Sequence, residues 1–586
     1  MLHLHPGERA SDLNSKRRRL AVLLTQLKQQ RQSFESHWKE IAELFRPRRI
    51  RLQVSDRNKG DKRNQKIADS TPVYAARTLA AGMMSGITSP ARQWFKLAIA
   101  DRALMEHGAV TVWLEEVREV MVAALNRSNF YETLATFYSD LGVFGTSAMI
   151  VEEDENKLLR CTHMTVGEYW IGLNATASVR VFAREFELTV RQIIEQFGER
   201  TGDGYSGKNL SDLVQNAWRA GQTETLVPVV HLIYENPDHD PSRLESTHKS
   251  FSSCYYEPTS KHEAFLLESG YDEWPIMAVR WEATAGDVYG TDSPGMTSLS
   301  DAKELMFATR VGSSALEKAV KPPMVAPTAM KNVAASILPG GVTYFDEIGD
   351  KKFRPAIDTS AFRLDWLNAR VVDLRDQIDK AFLVDLFLAI SQIDRGNVTA
   401  TEVLEKKEEK LLTLGPVGKQ IDGGFLDPFF DRLFGILFRA GRLPEPPPEL
   451  EGVEFHPEYE SIMAQAQRAQ GRQGIDTFAT FLQSTASSDP TVLDTVDATE
   501  MVKRYAEVTG VSPKFLRPDE EIDAIRTARA EAQAQQAAAA QTAMGAQSMK
   551  QLAGASTSGQ NALTDLMSEG DSLGTLGGAP SPVGGL

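Results

Sequence analysis

Cysteine is nearly absent: Cys161 and Cys254 are the only two among 586 residues, too few for a disulfide framework or a cysteine-rich metal site. Long apolar runs are missing as well. No stretch approaches the roughly 18 apolar residues that a membrane span needs, and Met1-Leu2-His3-Leu4-His5 lacks the charged-then-apolar order of a secretory signal. The expectation is a chain made in the cytoplasm, with no direct membrane insertion. Histidines at metal-ligand spacing are also wanting: His231 and His239 flank a proline-containing turn, His262 has no second histidine four residues on, and His37 sits beside Trp38. No metal and no cofactor is therefore expected. Net positive charge is lacking too; at −15 with a pI near 5.3, the chain is not a generic nucleic-acid binder.

The charge that is present is unevenly spread. Residues 1–70 hold 17 Lys and Arg against 8 Asp and Glu, a surplus of 9 that leaves −24 for the remainder. A basic arm on an acidic body either clamps a polyanion or covers an acidic neighbour. Within it, Leu20, Leu23, Leu24, Leu27, Phe34, Trp38, Ile41, Leu44 and Phe45 recur at helical spacing until Pro47 ends the helix. A polar, basic loop follows to Lys66. From Asp69 to Pro90 the sequence predicts a capped helix with Pro72 in its first turn, so rich in small residues that another backbone should come close; Ala91 to Leu97 then reads as extended.

Val179–Phe186, Val229–Tyr234 and Ile276–Trp281 read as half-buried strands. Gly202 to Asn209 has the GxxxxGK spacing of a phosphate-wrapping loop, but Asn209 replaces the hydroxyl a bound Mg²⁺ needs, and the preceding Val190–Phe197 looks helical where a strand should stand. Paired acids such as Glu115-Glu116 and Glu408-Glu409 point apart on a helix and read as solvated, so no catalytic residue is assigned and no enzyme is expected. Residues 404–440 carry the apolar stripe Phe425, Phe429, Phe430, Leu433, Phe434, Leu437 and Phe438. Pro444 to Pro448 mark a boundary, 458–533 reads as helical, and the Ala/Gln-rich then Gly/Ser/Pro-rich end cannot bury enough to fold alone.

Asp292 to Val403 reads as helix, insert, helix, loop. The first helix follows Asp292-Ser293-Pro294-Gly295 and stops at Pro322-Pro323; the second spans about 359–390, with Leu364, Leu367, Val371, Leu374 and Ile378 as a packing seam. Asp365, Asp373, Asp376 and Asp379 fall opposite that seam, interrupted by Arg370 and Lys380. Between the helices lies a Pro/Gly-rich insert with the β-like core Gly341 to Phe345. After them, Gly396-Asn397 is a turn signal.

Several blocks together resemble one family, the head-to-tail connector (portal) proteins of short-tailed bacteriophages: Asp69-Ser70-Thr71, Leu79-Ala80-Ala81-Gly82, Ser85-Gly86, Thr88-Ser89-Pro90 and Trp94-Phe95; Asp140 to Ala148; Tyr289-Gly290; Ser293 to Met296; Val398 to Val403; and Leu414 to Val417. The resemblance implies a mixed α+β, predominantly helical subunit with wing, two-helix stem, small α/β clip and helical crown, assembled as a dodecameric ring around a DNA channel at one capsid vertex. On this chain it implies a wing over 1–291 with a return over 404–455, stem helices at 292–321 and 359–390, a clip at 322–358 and a tunnel loop at 391–403. A crown at 456–533 and a low-complexity tail at 534–586 complete it. Gln392, Arg395 and Asn397 would then touch duplex DNA without reading its sequence. The acidic residues Asp365, Asp373, Asp376 and Asp379 would line a wall that repels phosphates and lets duplex slide, and Arg370 would pair between subunits. Tyr344, Phe345, Lys351 and Lys352 of the clip would meet a terminase and later a tail adaptor. The basic arm would hold neighbouring subunits, the major capsid or scaffolding protein, or DNA. The protein would be made in the bacterial host and reside in the virion. A non-channel virion scaffold and a virion-associated nuclease are the competing classes.

Overall fold

The computed structural model describes residues 12–49, 51–52, 64–105, 107–201, 204–206, 209–260, 264–284, 286–321, 324–325, 354–355, 364–393, 415–450, 452–453, 455–459, 475–486, 495–509, 515, 517 and 519–553. They belong to two units, one built from Met1–Met105 with Ala109–Gly510, the other from Glu106–Gly108 with Val511–Leu586. The first opens with helix α1 (Asp12–Phe45), whose 34 residues extend about 51 Å at the usual rise per residue. One helix serves two cores. Leu20, Leu24 and Leu27 lie against Trp170, Ala183, Leu232 and Tyr256, whereas Trp38, Ile41, Ala42 and Phe45 enter the main core.

Several cations of α1 are matched within the chain. Arg31 is buried, donating to the carbonyls of Gly167 (2.8 Å) and Tyr169 (2.9 Å) and to Glu35, with its guanidinium over Trp170. Arg17 donates to the carbonyl of Glu257 (2.5 Å), and Lys16 and Lys28 pair with Glu268 and Glu185. Much of the basic arm therefore fastens α1 to its own sheet.

Helix α2 (Thr71–Ile87) has Pro72 in its first turn. Ser70 makes no side-chain cap; Asp69 Oδ1 accepts from the Thr71 amide (2.9 Å) and hydroxyl (2.6 Å) at the start of the helix. Strand β1 (Phe95–Ile99), the single turn α3 (Arg102–Met105), α4 (Gly108–Arg127) and α5 (Phe130–Phe144) follow. Gly145 ends α5 in the left-handed region at φ 71°, where a side chain would be strained.

Beyond it run β2 (Thr146–Asp154), β3 (Leu158–Met164), β4 (Tyr169–Leu173), β5 (Val179–Thr189), α6 (Val190–Phe197), the hairpin β6 (Glu199–Thr201) and β7 (Gly204–Ser206), α7 (Asp212–Arg219), β8 (Leu226–Glu235), β9 (Phe251–Tyr256), β10 (Leu267–Tyr271) and β11 (Ile276–Arg280). They form two antiparallel sheets, ordered β10-β9-β8-β5-β4 and β11-β2-β3. The second lies in the main core through Ala148, Ile150, Met277 and Val279, all buried with the α5 aromatics Phe130, Phe137 and Phe144.

Then come α8 (Pro294–Thr297), α9 (Leu299–Val320), β12 (Met324–Val325), β13 (Arg354–Pro355), α10 (Leu364–Ala381) and α11 (Val384–Ile393). Residues 415–421 are helical and pass through a π turn, Asp422–Leu426, into α12 (Asp427–Arg439). The apolar stripe is buried at Phe425, Phe429, Phe430, Leu433 and Leu437, while Phe438 is exposed. Arg432, only 2% exposed, fixes α12 to the sheets by pairing with Glu273 (2.8 Å) and Glu153 (3.4 Å). Strand β14 (Phe455–Tyr459) returns to pair antiparallel with β1, and α13 (Ala498–Thr509) follows. In the second unit the described helix α14 (Asp519–Ala553) takes in the Ala/Gln-rich stretch, for which the sequence allows either a helical extension or an unfolded tail.

Candidate functional site

The blocks flanking the stem meet because glycine lets them. A Cβ on Gly290 would lie 2.0 Å from the Gly145 carbonyl oxygen, and one on Gly295 would lie 2.2 Å from that of Val143. Ser293 caps α8 by accepting from the Met296 amide (3.2 Å) while donating to the Val143 carbonyl (3.2 Å). The stem thus springs directly from the end of α5. The expected single first helix is interrupted: α8 closes at Ser298 before α9 begins.

Helices α9 and α10 run antiparallel, since Gly312 faces Leu367 (3.1 Å from a Cβ at Gly312) while Glu304, two turns earlier, pairs with Arg370. Along the seam, Leu374 and Ile378 are fully buried, Val371 packs on the core from its edge, and Leu367 is half-buried; the Leu364 side chain lies outside the described residues. The lower seam is therefore core of the subunit itself. The second helix is not continuous to 390. It breaks after Ala381 at Leu383, whose φ of 54° is a left-handed conformation that costs a leucine energy. Phe382 stacks on Phe45 at 5.5 Å, and α11 turns so that Phe387 covers α2. A Cβ on Gly82 would fall 2.1 Å from the Phe387 ring. At Gly82 the close neighbour of α2 is thus an aromatic side chain, while elsewhere α2 packs closely along α5, with Gly142 against Leu79.

Asp365, Asp373 and Asp376 are exposed and Asp379 is half-buried. Burial, then the neighbouring charges of Asp385 and Asp376, pushes the Asp379 carboxyl above its usual range. Val372, 60% exposed, interrupts this acidic edge at its centre by helical position. Cations temper it: Lys380 lies 3.3 Å from Asp376, and Arg370 lies 2.6 Å from Asp373. Arg370 also forks onto Glu304 with two 2.8 Å bonds. The pairing expected between subunits is therefore satisfied inside one chain, because α9 brings Glu304 within reach. Arg375 reaches Asp69 (2.7 Å). Burial alone would raise the Asp69 carboxyl, but hydrogen bonds from Thr71 and Arg375 outweigh it and hold it low. Neither the Asp69–Arg375 pair nor the Gly82–Phe387 contact is legible from spacing, since each joins residues some 300 positions apart.

Gln392 falls within the last turn of α11, so 391–393 of the expected tunnel loop is helical. Its side chain, and Arg395 and Asn397 altogether, lie outside the described residues, as do Tyr344, Phe345, Lys351 and Lys352. Of the clip, β12 and β13 are described and pair antiparallel, Met324 with Pro355 and Val325 with Arg354. In the GxxxxGK segment, Asn209 donates to the carbonyls of Phe197 (3.0 Å) and Leu266 (2.7 Å), a structural tie after a helix and a hairpin. Among the described residues no group of three His, Cys, Asp or Glu is placed to hold a metal ion, and no helix is long and apolar enough to cross a membrane.

Comparison with known proteins bears on the whole chain. The profile of the family described as bacteriophage head to tail connecting protein matches residues 17–516. The portal protein of Salmonella phage epsilon15 is 41% identical over 552 residues, 94% of this chain and 98% of its own length. The probable portal protein of Bordetella phage BPP-1 is 38% identical over 545 residues, 92% and 96% of the two chains. A chain from the neck of an empty GTA particle aligns over 73% of this chain and 91% of its own at 10% identity, with a TM-score of 0.30, too loose to carry an argument. The chain belongs to the bacteriophage head-to-tail connecting, or portal, protein family.

Proposed function

We propose that this chain is the subunit of a ring at one capsid vertex, through which double-stranded DNA enters the head and later leaves. The observation that carries the reading is the near end-to-end match to two phage portal proteins. The stem supports it: Phe307 on α9 and Trp366 on α10 are each 68% exposed. Large apolar side chains left in water along a helix pair are material for a neighbour. The acidic edge of α10 would then face a lumen and keep phosphates mobile. In this reading twelve subunits close the ring, Gln392, Arg395 and Asn397 stand near its narrowest point, and the clip with Tyr344, Phe345, Lys351 and Lys352 receives a terminase and then a tail adaptor. The capsid or scaffolding protein meets the wing.

Negative-stain electron microscopy of the purified protein tests this. Rings with a central hole are the expected outcome. Monomers alone, at high concentration and across several salts, would sink the reading.

A further inference from the structure

Three exposed arginines lie where the end of α1 meets α2 and α5. Where α1 ends, Arg46 turns inward to Ser139 and to Asp140, 3.6 Å away. Pro47 stops the helix, and a turn closed by the Arg49 amide on the Arg46 carbonyl (2.9 Å) directs Arg48 and Arg49 outward, both exposed. Arg49 reaches only the Thr136 hydroxyl, at 3.4 Å. On α2, which packs with α1 and α5, exposed Arg77 lies over the ring of Tyr74 at 5.8 Å, and Tyr74 is 62% exposed. The three elements meet closely enough that Arg46, already disfavoured as a cation by burial though favoured by Asp140, is disfavoured further by the charges of Arg49 and Arg77.

Several other cations of the first 70 residues do have an acid, with Lys28 on Glu185, Arg51 on Glu168 and Lys66 on Glu43. Among the described residues no carboxylate lies within salt-bridge reach of Arg48, Arg49 or Arg77, on a chain whose net charge is −15. Acid is abundant, yet none is supplied here.

We propose that Arg48, Arg49 and Arg77, beside Tyr74, form a docking patch for the phosphodiester backbone of duplex DNA on the outside of the subunit body. Guanidinium forks match phosphate oxygens in pairs, and backbone contacts need charge without an apolar core. A protein partner would ask for a desolvated apolar centre, and the patch offers one aromatic ring. The competing occupant is the acidic edge of α10 on a second copy. The proposal does not depend on the ring, because a single subunit displays the whole patch.

The test measures anisotropy of a short labelled duplex with the full-length protein over a salt series, for wild type and R48Q/R49Q/R77Q, with rings counted by negative stain in parallel. Three lost phosphate contacts should flatten the slope of log K against log salt by roughly 2 to 3, with ring yield unchanged. Arg77→Lys keeps the charge and should keep the slope. An unchanged slope in the triple variant overturns the proposal, as does a wild type that fails to bind duplex at low salt. Loss of rings with the slope unchanged also overturns it, and assigns the patch to a neighbouring copy. Since ring yield and salt slope are read separately, a failed patch and a failed ring reading give different results.

Discussion

The body around α5 and the stem pair α9/α10 spend their apolar residues differently. In the body, Phe130, Phe137, Tyr138 and Phe144 are all fully buried; Phe130 stacks on Phe425 and Phe429, and Phe137 packs against Tyr138 and Phe425. Each such side chain contributes about 1.5–3 kcal/mol by leaving water. The stem buries Leu299, Leu305 and Met306 of α9 and Leu374 and Ile378 of α10, and leaves Phe307, Val311, Trp366 and Val372 in solvent. A body that completes its core alone sets the fold of the subunit; a stem that does not is built for contacts the single chain cannot supply.

The sharpest way to break that contrast is to place one charge on each side of α10. Leu374→Asp puts a carboxylate into a fully buried position, losing apolar burial and adding an unpaired buried charge, for a cost of about 5 kcal/mol or more. Circular dichroism should show an unfolded or aggregated chain. Trp366→Asp should leave the subunit melting temperature nearly unchanged and reduce ring yield in negative stain. A folded, soluble Leu374→Asp monomer would mean that this part of the seam belongs to the assembly and not to the subunit.

Within the body, the next largest effect is expected at Asp140. It is wholly buried, yet His163 (2.9 Å), Thr165 (2.9 Å) and Arg46 (3.6 Å) surround it. Burial alone would raise its carboxyl, and these partners together hold it below the usual range. An acid whose folded value is depressed contributes stability that is present above its unfolded value and is lost as pH falls through the folded one. Asp140→Asn should therefore cost about 3–5 kcal/mol at neutral pH, and the gap to wild type in thermal melts should narrow once the pH drops below about 4. A gap that stays constant down to acid pH would show that packing, not charge, holds this site.

What the sequence disclosed follows the same division. Local signals carried α1 nearly to the residue, because Pro47 acts on its own neighbours and an apolar period needs no partner to be visible; the helix that ends at Gly145 was visible only through the family resemblance. The helical seam was legible for the same reason, and Leu374 and Ile378 lie where the period puts them. Its consequences were not. Whether a seam faces the same chain or the next depends on residues far away, so Arg370 could be assigned across subunits until Glu304 was found beside it. The break at Leu383 had no warning, since it arises from Phe382 and Phe387 docking on Phe45 and α2 and not from a glycine or proline. Basic composition in the first 70 residues suggested a partner outside the chain, and only contacts could separate the cations tied to the protein's own sheet from exposed ones such as Arg48 and Arg49.

The smallest expected effect asks whether the body is complete everywhere. Asp422 opens the π turn ahead of α12, half-buried and close to Asp427, which already accepts the Tyr459 hydroxyl at 2.6 Å. Burial first, then the Asp427 charge, pushes the Asp422 carboxyl up to about 6. The sign is opposite to that of Asp140. A raised folded value means that the native state holds the proton more tightly than the unfolded chain, so stability falls as pH rises from about 4 to about 6 and stays level above that. Asparagine cannot ionise and removes this loss. Asp422→Asn should melt with wild type near pH 4, gain on it through that window, and keep a constant advantage beyond it, modest because solvent reaches the group and screens it. A difference that does not vary with pH would mean that Asp422 ionises freely, and that the π turn is as well satisfied as the aromatic core behind it.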